Sequence, residues 1–200
     1  DATARRDLRT VLRSLRCMAD RLDDPELGPR LSVRYAKVDL AHLVKSCCAA
    51  FSSVAEERNL SFEVDAPQRL LAELEVDKIQ GVVANLVFNG FKHTPPRSHM
   101  RCVLRHDSDS DEVVIRVSDG GPSLPPNRVE ALFSRTRFFD RVSVGAQALG
   151  MSLGTSRDLA ALHGGTLCLQ NNDDVGVTFE LRLPRQAPGG VRVARRGVLV

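Results

Sequence analysis

Residues 75–94 read EVDKIQGVVANLVFNGFKHT. At about 100° per residue, a helix over this stretch gathers Lys78, Asn85, Asn89 and Lys92 into one narrow polar stripe, with Ile79, Val82, Val83 and Leu86 to one side of it. Asparagine is a mediocre helix former because its short amide competes for backbone hydrogen bonds. Two of them at i and i+4 beside an apolar face point to amide oxygens with a task, since magnesium takes hard oxygen ligands and phosphate takes lysine. The competing reading, that both asparagines simply face solvent, stays open on this helix alone. The segments around it bear on the choice.

Downstream, EVVIRVSD from Glu112 alternates as a strand and runs into SDGGPSLP at Ser118–Pro125. This puts the carboxylate of Asp119 at the strand's tip, with Gly120 and Gly121 directly after it. A carboxylate accepts a hydrogen bond from an exocyclic amine such as that of adenine, and glycine lets a planar ligand approach the backbone. Taken alone, D-G-G-P is most often a turn. Further on, Gly150 and Gly154 flank the start of a helix leading to His163-Gly164-Gly165. Backbone N–H groups at such a helix start can receive phosphates.

The rest of the chain supplies the frame. Residues 5–22 space Leu8, Val11, Leu12, Leu15, Met18, Ala19 and Leu22 as one amphipathic helix, and the prolines up to Pro29 read as a linker. Asp39 is a good N-cap for a helix whose stripe runs Leu40, Leu43, Val44, Cys47, Phe51 and Val54. Strands are expected from Leu60, Met100, Glu112, Thr166 and Val177, the last two joined as a hairpin through residues 171–174, and helices at about 75–93 and 151–162. Helices and strands mix without strict alternation, which predicts a two-layer α/β sandwich with an N-terminal helical appendage. The expected division is 1–30 for that appendage, 31–184 for the main domain and 185–200 for a linker or tail.

Composition narrows the partners. The net charge of +3 comes from arginines scattered through every segment, with no basic run interleaved with aromatics, so nucleic acid is not indicated. No apolar run approaches the roughly 18 residues that span a bilayer, so no membrane contact by this segment and a cytoplasmic location are expected. Five cysteines without C-x-x-C spacing suit reduced core thiols.

In order, these segments resemble the ATP-binding domain of sensor histidine kinases, in the superfamily shared with gyrase, Hsp90 and MutL, over residues 36–184. KVDLAHLV at Lys37 is similar to that family's V-D-L opening, and the helix from Glu75 resembles its N box. The resemblance implies ATP with Mg2+: Asn85 and Asn89 at the metal, Lys92 at the phosphates, and Asn89 and Lys92 serving catalysis. SDGGPSLP resembles the first glycine box, so Asp119 matches the adenine-binding aspartate and Gly121 its first glycine. LFSRTRFFD from Leu132 looks like the F box, with Phe133 in place and Thr136 for the second phenylalanine. ALGMSLGTSRDLAALHGG from Ala148 is similar to the second glycine box, with Gly150 its surviving glycine. GVTFELRLP from Gly176 resembles the last strand, which places Thr178 at the base.

The pattern also breaks. Ser123 replaces a glycine of the first box, and Ala148 and Ser152 replace two of the second. A side chain at a position with φ > 0 costs on the order of 1 kcal/mol and its Cβ obstructs a phosphate, so weakened affinity is expected. None of the five histidines has phosphoacceptor neighbours, and all five read as structural or solvated. In the nearest match, Arg6-Asp7-Leu8-Arg9-Thr10, an arginine stands at the histidine's place, and arginine cannot accept a phosphoryl group as neutral imidazole does. The implied function is γ-phosphoryl transfer from ATP to a histidine on another segment or chain. Its implied partners are a response regulator or receiver domain and a second copy joined through the N-terminal helix. The alternative is a non-catalytic pseudokinase or phosphotransfer adaptor that docks a response regulator. An ATPase of the wider superfamily ranks third, because those have different lid sequences and lack the V-D-L opening.

Overall fold

The computed structural model describes residues 33–133, 152–171 and 176–189. The expected helix at 5–22, Arg6, Thr136, Ala148, Gly150 and most of the turn at 171–174 lie outside the described residues. The elements in chain order are β1 (Ala36–Asp39), α1 (Leu40–Ala49), α2 (Ser52–Glu57), β2 (Ser61–Asp65), β3 (Leu71–Leu74), α3 (Val76–His93), β4 (His99–Asp107), β5 (Glu112–Asp119), α4 (Pro126–Phe133), α5 (Leu153–Leu162), β6 (Thr166–Asn171) and β7 (Val177–Pro184).

Five strands form one sheet in the order β2-β4-β5-β7-β6, and β1 pairs with β3 in a separate ribbon. Only β2–β4 is parallel within the larger sheet, so it is mixed. Alternation along the strands decides its two faces. Cys102, Leu104, Val113, Ile115, Val117, Phe179, Leu181 and Leu183 are buried in one core with Val44, Ile79, Val82, Val83, Leu86 and Leu159 of the helices. Each fully buried Leu or Ile there contributes about 2 kcal/mol relative to exposure. The opposite face carries charge: Arg116 pairs with Glu180 at 2.5 Å, and Arg182 reaches Asp107 and Glu112, each at 3.2 Å. Such exposed pairs hold the strands only weakly. A sheet with one helical and one charged face is the expected two-layer sandwich.

Three local features differ from the sequence reading. The helix begun at Asp39 is two helices, because Ser52 Oγ donates to the Ala49 carbonyl at 2.9 Å, and Phe51 turns in to stack on Phe91 at 5.5 Å. Its N-cap is as expected, with the Asp39 carboxylate accepting from the N–H of Ala41 and His42. The strands β1 and β3 went unanticipated because four residues are too few for alternation to register, as did the helix α4. Finally, the chain beyond Pro184 still belongs to the fold. Arg185 donates its N–H to the Asp111 carbonyl at 3.0 Å and pairs with that carboxylate at 2.6 Å, while its own carbonyl accepts from Glu73 at 2.8 Å. The Ala187 N–H likewise donates to the Glu73 carboxylate at 3.1 Å, so residues 185–187 pack on the domain.

Candidate functional site

The helix α3 is fixed along its length. Arg58 donates through its guanidinium to the carbonyls of Phe91, in the helix's last turn, and, at 2.5 Å, of the C-cap Thr94. In mid-helix Asn85 is 1% exposed, and its amide nitrogen donates to Ser156 Oγ of α5 at 2.8 Å. The Asn89 amide nitrogen donates to the backbone carbonyl of Asn85 at 2.7 Å and to its Oδ1 at 3.2 Å. The solvent-facing reading therefore fails for Asn85. Asn85, expected with Asn89 as a magnesium ligand, spends both ends of its amide on protein partners and orients Asn89. Asn89 Oδ1 accepts nothing from the described residues. One turn on, exposed Lys92 has no partner among the described residues.

Asp119 ends β5 on the helical face and is 2% exposed. Its Oδ1 accepts the Gly121 N–H at 2.8 Å, yet among the described residues Oδ2 has no hydrogen-bond partner. Burial pushes the carboxyl pKa up, against the opposing pull of the Gly121 and Val177 backbone N–H groups. A buried carboxylate oxygen without a partner costs free energy that a donor-bearing ligand recovers. Gly121 is demanded by space: a Cβ there would lie 2.8 Å from Asp119 Oδ1 and 2.9 Å from the His93 carbonyl oxygen. That close approach sets the glycine loop against the end of α3, so Asp119, Asn89 and Lys92 belong to one neighbourhood.

Thr178 does not. In the β5–β7 register Ser118 faces Thr178 and Val117 faces Phe179, so Thr178 lies on the charged face, opposite Asp119. Its hydroxyl is 2.8 Å from Ser118 Oγ. The residue of β7 on the Asp119 side is Val177, 4% exposed. The signal was present in the sequence, since Val177, Phe179, Leu181 and Leu183 alternate as an inward row and put Thr178 outward. Gly176 was also missed. It has φ +96°, and its backbone packs on that of Asp119 and Gly120.

The two altered glycine positions among the described residues, Ser123 and Ser152, are less strained than expected. Ser152 has φ −76° and ψ 159°, extended backbone that any residue adopts. Ser123 is absent from the positive-φ set, which among the described residues holds only Asn59, Arg97 and Asp111 apart from glycines. Ser152 instead caps α5, its Oγ accepting the Thr155 N–H at 3.0 Å and so occupying a donor at the helix start. Ser152→Gly is expected to free that donor. Nucleotide affinity should rise about threefold, with stability lowered by the few tenths of a kcal/mol a Ser-to-Gly cap change costs, read by calorimetric titration and thermal denaturation.

The histidines read as expected. His42, His93 and His99 are exposed, His106 pairs with Asp111 at 3.0 Å, and His163 is buried. Cys47, Cys48 and Cys102 are free thiols in the core, burial pushing Cys47 up to about 12, whereas Cys168 departs from the core reading and is exposed. Among the described residues no helix is long and apolar enough to cross a membrane.

A profile of the family described as histidine kinase-, DNA gyrase B-, and HSP90-like ATPase matches residues 75–187, more than half of the chain. The chain belongs to this family. Sensor histidine kinase TmoS of Ectopseudomonas mendocina is 28% identical to this ATPase domain over 96% of the chain, and hybrid signal transduction histidine kinase D of Dictyostelium discoideum is 33% identical over 92%. The chain spans only 20% and 12% of those two relatives. Among solved structures, the nucleotide-free catalytic domain of histidine kinase ThkA superposes with a TM-score of 0.65 at 22% identity, covering 78% of this chain and 99% of that one. ThkA in complex with response regulator protein TrrA gives 0.65 at 20% identity, over 84% of this chain and 48% of that one. The ATPase domain is thus of the sensor-histidine-kinase type, and its fold is that of ThkA.

Proposed function

We propose that this ATPase domain binds ATP with Mg2+ and passes the γ-phosphoryl to a histidine on another segment or chain. The observation that carries it is the buried Oδ2 of Asp119, an acceptor with no donor among the described residues and suited to one such as adenine's exocyclic amine. Gly121 lets the glycine loop close on Asp119 and on the end of α3. Asn89, oriented by Asn85, offers a free amide oxygen for the metal, and Lys92 offers an ammonium for the phosphates. Magnesium when bound neutralises phosphate charge, and the domain's own contribution is positioning, as in phosphoryl transfer generally. The γ-phosphorus–oxygen bond breaks, ADP leaves, and a ring nitrogen of the receiving imidazole takes the phosphoryl group.

The partner we infer is a response regulator or receiver domain, supported by the ThkA–TrrA likeness. A second copy joined through residues 5–22 and a cytoplasmic location complete the reading. The non-catalytic adaptor reading rests on the altered glycines and on the missing phosphoacceptor histidine, and of these grounds the strain at Ser152 is the one that its extended backbone speaks against.

Titration with the non-hydrolysable analogue AMPPNP tests the assignment. With Mg2+, micromolar affinity is expected for the natural sequence and at least tenfold weaker binding for Asn89→Ala. Without Mg2+ the two should agree within a factor of two. Equal affinities in the presence of Mg2+ would remove Asn89 from the metal.

A further inference from the structure

His163 lies at the end of α5, beyond every residue assigned to nucleotide. It is 2% exposed and both ring nitrogens are engaged. Nδ1 is 2.7 Å from the Leu159 carbonyl oxygen, an acceptor only, so Nδ1 carries the proton. Nε2 is then a bare lone pair and accepts the Glu75 backbone N–H at 3.3 Å. Burial holds the imidazole pKa below its ordinary value, in keeping with this neutral form.

Glu75 is the N-cap of α3 and makes no side-chain cap bond, so its N–H is one of the helix's orphan donors and His163 is what fills it. The Glu75 carboxylate turns instead to Lys78 Nζ at 2.6 Å and to the Arg34 N–H at 2.9 Å. The ring of Tyr35 meets His163 edge-on at 5.7 Å. The chain arriving from residues 1–32, the start of α3 and the end of α5 therefore converge on one imidazole.

A second tether joins the same two helices, the Asn85–Ser156 bond at 2.8 Å. Ser156 and His163 are two turns apart on α5, about 10 Å at 1.5 Å per residue. One tether leaves a helix free to pivot, whereas two fix its angle. Asn85 and Asn89 are on the far side of the His163 tether, so the angle of α3 sets where the Asn89 amide oxygen stands relative to Asp119.

We propose that His163 is a positioning residue for the metal–phosphate half of the site: by accepting the Glu75 N–H it locks α3 to α5 and fixes the place of Asn89. This rests on the Mg-ATP reading above, and goes beyond it by assigning a role to a residue that touches no ligand.

Two near-isosteric variants separate the nitrogens. His163→Gln places an amide oxygen near the Nε2 position and keeps the acceptor for Glu75. His163→Asn keeps a donor near Nδ1 for Leu159 and loses that acceptor. Affinities for Mg-AMPPNP and for adenosine, which lacks phosphates, are measured on the natural sequence and both variants. Expected is five- to tenfold weaker Mg-AMPPNP binding for His163→Asn, recovery to within twofold in His163→Gln, and adenosine affinity unchanged throughout. Parallel loss in both variants, or equal loss of adenosine and Mg-AMPPNP, means a merely structural histidine and overturns the proposal. Absence of any nucleotide binding by the natural sequence overturns the ATP reading itself. Nitrogen-15 NMR of the unaltered protein's imidazole is independent of variant folding: a protonated Nδ1 and bare Nε2 are expected, and an Nε2–H tautomer overturns the proposal.

Discussion

Asp119→Asn is expected to lower ATP affinity roughly 30- to 150-fold while leaving the melting temperature unchanged or raised. A hydrogen bond to a charged acceptor is worth about 2–3 kcal/mol, and asparagine offers an amide N–H₂ where the adenine amine needs an acceptor. The stability effect has the opposite sign. Burial raises the folded-state pKa of Asp119 above its ordinary 3.8, so between those two values the folded state holds the proton more tightly than the unfolded chain. Stability contributed by the group is present below that window and lost as pH rises through it. Above that window the ionised carboxylate is a cost to folding, which a neutral amide removes. Lost binding with retained stability separates a ligand acceptor from a structural carboxylate, for which both would fall together. Titration calorimetry and thermal denaturation of the one variant read both.

Gly176→Ala is expected to have the largest effect on the fold. The added Cβ would stand 1.8 Å from the Asp119 carbonyl oxygen and 2.8 Å from its carbonyl carbon, and the residue has φ +96°. Neither obstacle is the flexible end of a side chain. Both belong to the backbone of β5 where it turns into the glycine loop, so relief requires β5 and β7 to separate at the site. Steric displacement and backbone strain together cost on the order of 3 kcal/mol or more, which lowers the melting temperature of a domain this size by roughly 6–12 °C. Whatever remains folded should bind nucleotide poorly, because Asp119 moves with its carbonyl. Circular dichroism on heating checks the first expectation, and titration of the variant below its transition checks the second.

The long helix and its stripe were legible because 18 residues give five turns of periodicity, and the five sheet strands because four of them run six residues or more. β1, β3 and the break at Phe51 were not, since each depends on partners far along the chain: Ala36 on Leu74, Phe51 on Phe91. For the proposed site, local residue chemistry and the family resemblance together suggest Asp119, Gly121, Asn89 and Lys92. Thr178 was misplaced because family position was given more weight than strand parity, although parity was readable in the same nine residues. The roles of Asn85, Arg58 and His163 lay beyond the sequence, because a polar group's partner 33 to 88 positions away is fixed only by the packing of helices.

On the reading proposed above, the buried Oδ2 of Asp119 receives the amine of adenine. Inosine triphosphate carries a carbonyl oxygen where ATP carries that amine, and an N1–H where ATP has a bare ring nitrogen, so it brings no exocyclic donor to Asp119. Competitive titration of the two nucleotides with Mg2+ should give micromolar affinity for ATP and at least 30-fold weaker affinity for inosine triphosphate; equal affinities, or binding of neither, would contradict the account.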